Sequence, residues 1–233
     1  MTCRESELKQ LAAKAEDYLK GIGRKENLFS VNERDAVFVA VDMQNFVCQK
    51  DSGRCLPGIA RVMLSVNEMA DFCHARGIPV IWLRQCFSRR GGWDDEGLYG
   101  FFHNQPIEPG MFNQGEAAKI HPEMHLDPEL DFVAEKNRYS AFAPGSSRLE
   151  TLLSGLNRKQ LIFGGAATNV CVESTARDAM QRGYQVIVLS DATTAFDNVL
   201  HEVSLLNIRL FFGDVRSVKD ITREIGGFES FFA

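Results

Sequence analysis

The feature that most constrains this chain is a repeated exchange between short apolar runs and amphipathic stretches. Ala36-Val-Phe-Val-Ala-Val-Asp42 is an uninterrupted apolar run of strand length ending in a carboxylate. A strand covered on both faces reads this way, without the alternation of a half-exposed one. Ile78-Pro-Val-Ile-Trp-Leu83 has the same character, with Pro79 near its start, where a missing N–H matters least. Leu130–Lys136, Gln160–Gly164, Tyr184–Ser190 and Arg209–Phe212 are further runs of strand length. Between them, Ile59, Val62, Met63, Val66, Met69 and Phe72 fall at helical spacing and the pattern stops at Gly77. Helices are likewise expected over about 146–154, 169–182, 199–206 and 215–225. Strand and helix alternate almost throughout, which specifies an α/β fold on a mainly parallel, Rossmann-like sheet in a three-layer α-β-α arrangement.

The chain of 233 residues shows no repeat, low-complexity tract or linker-like shift, so one domain over 1–233 is expected. Residues 1–30 add an N-terminal helical extension, with Leu8, Leu11, Ala12, Ala15, Tyr18, Leu19 and Ile22 on one face. The stretch 84–127 is rich in Gly, Pro and aromatic residues and reads as a long irregular loop of the kind that often carries function. The 26 Lys and Arg against 31 Asp and Glu offer no basic excess for nucleic acid. No apolar run approaches the roughly 20 residues that span a bilayer, and the polar start Met1-Thr2-Cys3-Arg4-Glu5 is unlike a secretory signal. A cytoplasmic chain with reduced thiols is expected.

In such sheets the ligand crevice lies beyond the carboxyl ends of the strands. Asp42, Lys136 and the loop leading to Cys171 all belong to that edge. Of the six cysteines, Cys48, Cys55, Cys73 and Cys86 have no comparable helix-start context and are assigned no catalytic role, and Cys3 reads with them as an ordinary reduced thiol. Cys171 sits just inside a helix start after the small-residue run Gly164-Gly-Ala-Ala-Thr168. The dipole and unpaired N–H groups of a helix start favour a thiolate and an oxyanion. Lys136 nearby would lower the thiol pKa further, and Asp42 would accept the thiol proton and pass it to a leaving amine. A buried cysteine alone is ordinary core material; the conjunction of the three carries the reading.

With these residues in view, the sequence resembles the isochorismatase-like cysteine hydrolases over nearly all of Arg34–Phe212. The motifs are Val39-Ala-Val-Asp42-Met-Gln44-Asn45, Lys136-Asn-Arg-Tyr139-Ser-Ala-Phe142 and Gly164-Gly-Ala-Ala-Thr-Asn-Val-Cys171-Val-Glu-Ser-Thr-Ala-Arg-Asp-Ala179. The resemblance implies a six-stranded parallel sheet with helices on both faces and a catalytic triad of Asp42, Lys136 and Cys171. It also implies a cis peptide between Ala166 and Ala167, with an oxyanion hole from the N–H groups of Ala167 and Cys171. The implied reaction is attack of the thiolate on an amide or ureido carbonyl, departure of ammonia or an amine, and hydrolysis of the acyl-enzyme. No cofactor is implied, the partner is a small-molecule substrate, and homo-oligomers (dimers or tetramers) are common in the family.

Within the family, members that hydrolyse isochorismate generally lack the nucleophilic cysteine. Nicotinamidases carry a D-x-H-x-x-x-H metal motif after the second strand, where this chain reads Arg84-Gln-Cys-Phe-Ser-Arg-Arg-Gly-Gly-Trp93. His121 and His125 are four apart, but Pro122 disfavours a shared helical face, and no metal site is expected. The strings around Cys171 and Lys136 look most like ureidoacrylate amidohydrolases, so a small linear amide, ureido or carbamoyl substrate is expected. A nicotinamidase-like or isochorismatase-like hydrolase and a non-catalytic small-molecule binder are the alternatives. Candidate substrate contacts are Gln44, Asn45, Phe46, Arg84, Trp93, His103, Tyr139 and Phe142, with Phe101 and Phe102 as further wall residues. Glu173 and Arg177 are spaced for an intrahelical ion pair. The final stretch from Phe228 to Phe232 and the N-terminal helix are candidate subunit contacts.

Overall fold

Residues 3–90, 93–94 and 109–227 are described by the structure, a computed structural model. His103, Phe101, Phe102 and the stretch Phe228–Phe232 lie outside them, as does the side chain of Trp93. Six parallel strands form one sheet in the order β5-β2-β1-β6-β7-β8. They are β1 (Ala36–Val41), β2 (Val80–Gln85), β5 (Phe132–Lys136), β6 (Gln160–Ala166), β7 (Gln185–Thr194) and β8 (Asp214–Arg216). A separate two-residue pair, β3 (Arg89–Arg90) with β4 (Trp93–Asp94), lies in the long loop.

Every residue of β1 and β6 is buried, which is why their sequences are continuous rather than alternating. The pleat still sorts them. Ala36, Phe38 and Ala40 join one apolar layer with α3 (Ile59–Arg76) and α7 (Val218–Gly226). Val37, Val39 and Val41 join the opposite layer with α4 (Leu149–Leu156), α5 (Glu173–Gln181) and α6 (Asn198–Asn207). The remaining helices are α1 (Cys3–Gly21) and the one-turn α2 (Asn45–Cys48).

Strand order reverses between β1 and β6: β2 and β5 extend the sheet to one side, β7 and β8 to the other. A crevice therefore opens beyond the carboxyl ends of β1 and β6. Gly165 makes their close approach feasible. Its φ is +106°, and a Cβ there would stand 2.1 Å from the Val41 carbonyl oxygen.

One expected strand is a helix. Ile208–Phe212 is a π-helical turn that continues α6, and the sixth strand is Asp214–Arg216 instead. Short apolar runs do not distinguish strand from helix. Here Ile208 faces the core, Phe211 is exposed, and Phe212 lies under the Arg177 guanidinium at 4.1 Å. Gly213 then lets the chain pass beside β7, since a Cβ there would fall 2.3 Å from the Val186 carbonyl oxygen. The last helix accordingly begins at Val218 rather than at 215, with Ser217 and Asp220 forming a capping box.

Candidate active site

β1 delivers Asp42 to the crevice in a left-handed conformation, φ 51°, that Asp tolerates better than most residues. Its N–H is anchored to the Leu83 carbonyl at 2.8 Å, and its own carbonyl accepts the Gln44 N–H at 2.8 Å. Beyond β6, Ala166 and Ala167 are joined by a cis peptide, as the family resemblance implies. The chain then turns into a π-helical segment, Thr168–Val172, that carries Cys171 into α5. π-turns of this kind recur at functional sites.

Lys136 ends β5, two strands away from β1, and its side chain reaches across β2. Its ammonium lies 2.8 Å from Asp42 Oδ2 and 3.3 Å from Cys171 Sγ, with the Lys136 side chain wholly buried. Three N–H donors are shared among these two and two more acceptors, Gln85 Oε1 at 3.3 Å and the Arg138 carbonyl at 3.2 Å. Asp42 Oδ1 is buried and accepts no hydrogen bond among the described residues. That leaves an acceptor inside the site for a thiol proton or an amide N–H of a ligand.

The electrostatics depart from the expected low-pKa thiolate. Burial pushes the Cys171 thiol up, the Asp42 carboxylate pushes it further, and Lys136 opposes both without prevailing. The reason is charge balance: one buried ammonium is already paired with one carboxylate, and a thiolate would make the enclosed set net negative. For Lys136, burial acts to lower the ammonium, but Asp42 and Cys171 outweigh it and the net direction is upward. Asp42 thus acts on both neighbours in the same direction, raising the thiol of Cys171 and the ammonium of Lys136.

Gln85 is the residue that sequence reasoning missed. It is paired in register with Lys136 across β2 and β5, and its Oε1 lies 3.6 Å from Cys171 Sγ. Its role can be read only from the β2–β5 register. Arg84, one residue earlier and paired with Glu135, forms an ion pair with that carboxylate at 2.5 Å and is not brought to the thiol.

The other candidates divide by what they touch. Gln44 is a buried strut: its amide nitrogen donates to the carbonyls of Ala118 at 2.7 Å and Gln85 at 2.9 Å, and its oxygen accepts the Gln85 N–H. Asn45 Nδ2 donates to the Glu116 carbonyl at 2.9 Å. Phe46 packs on a small cluster of Cys86, Phe87, Met111, Phe112 and Ala118, and Tyr139 bridges that cluster to the layer containing Cys171. Burial raises the Tyr139 hydroxyl pKa and the nearby Cys171 adds to the rise. Phe142 packs instead between Tyr184, 5.7 Å away, and the Arg182 guanidinium at 5.1 Å. Trp93 is placed only by its backbone, in β4.

Side-chain bonds lock the two loops of the site together. Ser140 Oγ donates to Asp178 at 2.6 Å and the Ala141 N–H donates to Thr175 Oγ1 at 3.2 Å, tying the Lys136 loop to α5. Glu173 pairs with Arg177 at 2.5 Å, as expected, and also accepts Ser204 Oγ from α6.

A metal centre would need His, Cys, Asp or Glu side chains converging on one point. Among the described residues no three His, Cys, Asp or Glu side chains gather to hold an ion. In the stretch where this chain lacks the metal motif, Gln85 offers an amide oxygen that Lys136 already uses. His125 pairs with Asp71 at 3.0 Å, and His121 Nδ1 accepts the Glu123 N–H. These residues do not fit a metal centre.

A family model described as the Isochorismatase domain matches residues 36–220. The chain belongs to this hydrolase family. It is 33% identical over 207 residues to ureidoacrylate amidohydrolase RutB of Enterobacter sp., covering 79% of this chain and 86% of the relative. It is 29% identical to nicotinamidase 3 of Arabidopsis thaliana, covering 84% of this chain and 91% of that one. The fold matches a cysteine hydrolase structure from Pseudomonas syringae pv. phaseolicola with a TM-score of 0.79 at 24% identity, over 87% of this chain and 98% of that one.

Proposed function

We propose that this family member is a metal-independent cysteine amidohydrolase that cleaves a C–N bond of a small linear amide, ureido or carbamoyl compound. The observation that carries the reading is the buried Lys136 ammonium within 2.8 Å of Asp42 and 3.3 Å of Cys171. The similarity to ureidoacrylate amidohydrolases supports the substrate class.

On this reading Asp42 takes the Cys171 proton as sulfur attacks the substrate carbonyl. The transfer converts carboxylate and thiol into acid and thiolate, so the net charge around Lys136 is unchanged and no buried charge is created. The carbonyl oxygen becomes an oxyanion received by the N–H groups of Ala167 and Cys171. Asp42 returns the proton to the leaving nitrogen, the C–N bond breaks, and ammonia or an amine departs. Water, deprotonated by Asp42, then cleaves the acyl–sulfur bond and restores the thiol. Lys136 holds Asp42 and Cys171 in reach of each other throughout, and Gln85 holds Lys136. On the same reading Tyr139 and Phe46, which pack on the cluster beside the thiol layer, wall the substrate site, and Trp93 and His103 join them on sequence grounds alone.

A nicotinamidase-like reaction is the second reading, favoured by the similarity to nicotinamidase 3. It is disfavoured by the donor set after β2. The reading also takes the protein as cytoplasmic, consistent with free Cys48, Cys55, Cys73, Cys86 and Cys171. No described helix is long and apolar enough to cross a membrane. A homo-oligomer is part of it, supported by the exposed apolar side chains Leu11, Tyr18, Ile22 and Phe211, and light scattering after gel filtration tests that part.

The decisive experiment scores ammonia release from a panel of ureides, carbamoyl amino acids, linear amides and nicotinamide. Cys171→Ala should abolish release from every true substrate, and quenched wild-type protein should carry an acyl adduct on Cys171 by intact mass. Undiminished turnover by Cys171→Ala would overturn the mechanism.

A further inference from the structure

Just past Asp42 the chain doubles back on itself. α2 ends at Cys48, a 3-10 turn follows over Lys50–Ser52, and Gly53 reverses direction at φ 68°. The Leu56 N–H then donates to the Val47 carbonyl at 3.2 Å and closes the loop. The residues one step inside that closure are Cys48 and Cys55. Cys55 Sγ lies 3.9 Å from the Cys48 carbonyl oxygen. Both side chains pack into the layer beneath α3, Cys48 fully buried and Cys55 half-buried. A disulfide requires Cα atoms within about 7 Å, and the Leu56–Val47 hydrogen bond holds the backbone of the two cysteines side by side at the loop mouth.

We propose that Cys48 and Cys55 form a thiol modification site, a pair that closes to an intramolecular disulfide when exposed to a small-molecule disulfide such as oxidised glutathione. Cys55, the more accessible, reacts first: its thiolate attacks one glutathione sulfur, that S–S bond breaks, and one glutathione thiolate leaves and takes up a proton. Cys48 then gives up its proton and attacks the Cys55 sulfur, displacing the second glutathione thiolate. Two protein thiols lose two electrons and two protons, and one glutathione disulfide becomes two glutathione thiols. The product joins the end of α2 to the approach to α3, clasping the strap that follows Asp42 without using Cys171.

Burial first, and then the neighbouring Cys55, push the Cys48 thiol up to about 12. Closure should therefore quicken about tenfold per pH unit through the neutral and mildly alkaline range, because only the thiolate attacks.

The test uses the full chain carrying Cys171→Ala, so that oxidation of the candidate nucleophile does not complicate the result. After incubation with oxidised glutathione, free thiols are alkylated and the protein is digested with trypsin. Cleavage after Lys50 and Arg54 falls inside the loop, so closure links the peptide ending at Lys50 to Cys55–Arg61. The expected result is that linked pair, released by dithiothreitol, with a Cys48→Ser variant stopping at glutathione on Cys55. Full alkylation of both thiols would overturn the proposal, as would Cys55 remaining glutathionylated while Cys48 stays free. A bridge from Cys55 to Cys73 or Cys86 would equally overturn it.

Discussion

Asp42→Asn separates the base from the rest of the site, because Asn keeps the size and the tolerance of a left-handed backbone but cannot take a proton. Asp42 Oδ2 and Cys171 Sγ lie 2.8 Å and 3.3 Å from the same ammonium nitrogen, so they are at most about 6 Å apart. Two negative charges at that separation repel by about 2.8 kcal/mol at an effective dielectric of about 20, a hundredfold disfavouring of the thiolate. Removing the carboxylate should raise the thiolate fraction at a given pH by about that factor. A less basic thiolate is also a weaker nucleophile, with a Brønsted coefficient of about 0.4–0.5, so the net gain in alkylation rate is about tenfold. The variant should thus label faster with iodoacetamide at pH 7 while its amide turnover falls about 100- to 10,000-fold, the range for a lost general base. Labelling is followed by intact mass, turnover by ammonia release, and folding by circular dichroism. A folded Asn variant that labels no faster than wild type would refute the charge-balance argument. One that keeps more than a tenth of the turnover would remove Asp42 as base.

Three further outcomes follow from the same geometry. Gln85→Leu removes one acceptor from Lys136 while leaving Asp42 and the Arg138 carbonyl, so kcat should fall about tenfold with little change in Tm. A lowered Tm with intact kcat would make Gln85 a scaffold residue only. Gly165→Ala would press a Cβ to 2.1 Å from a backbone oxygen at φ +106°, and should cost at least about 3 kcal/mol in urea unfolding or prevent folding; an unchanged midpoint would refute that close approach. Trp82→Phe removes the indole N–H that donates to wholly buried Asp131 at 2.8 Å, leaving His74 and the Asp127 N–H. That should cost about 2–3 kcal/mol in urea unfolding, and a loss below about 0.5 kcal/mol would show that the carboxylate finds other partners.

Much of the site could be read in one dimension because its parts sit at strand ends. Ala36–Val41 and Gln160–Ala166 advertise themselves as doubly covered strands, and the residues that follow such strands in an α/β sheet must reach the crevice. Lys136 was legible for the same reason. Gln85 was not, since its meaning depends on standing opposite Lys136 across two strands. Arg84 looks like an anion binder in sequence and is an ion-pair partner in space, a difference made by Glu135 on the neighbouring strand. Arg209–Phe212 reads as a strand in sequence because three apolar residues carry no period, and packing against α5 and α6 decides in favour of helix.

The order of apolar runs and the identity of Asp42, Lys136 and Cys171 are properties of the sequence alone, since burial patterns and chemical groups are written residue by residue. Which of those groups holds the proton is not. That depends on how the charges are buried together: in the folded chain the Lys136 ammonium stands beside Asp42 and Cys171, and burial together with Asp42 pushes the thiol pKa up. The sequence determined which chemical groups are present, and the tertiary structure decided how strongly they act on one another, because electrostatic energy is a function of distance and burial rather than of order along the chain.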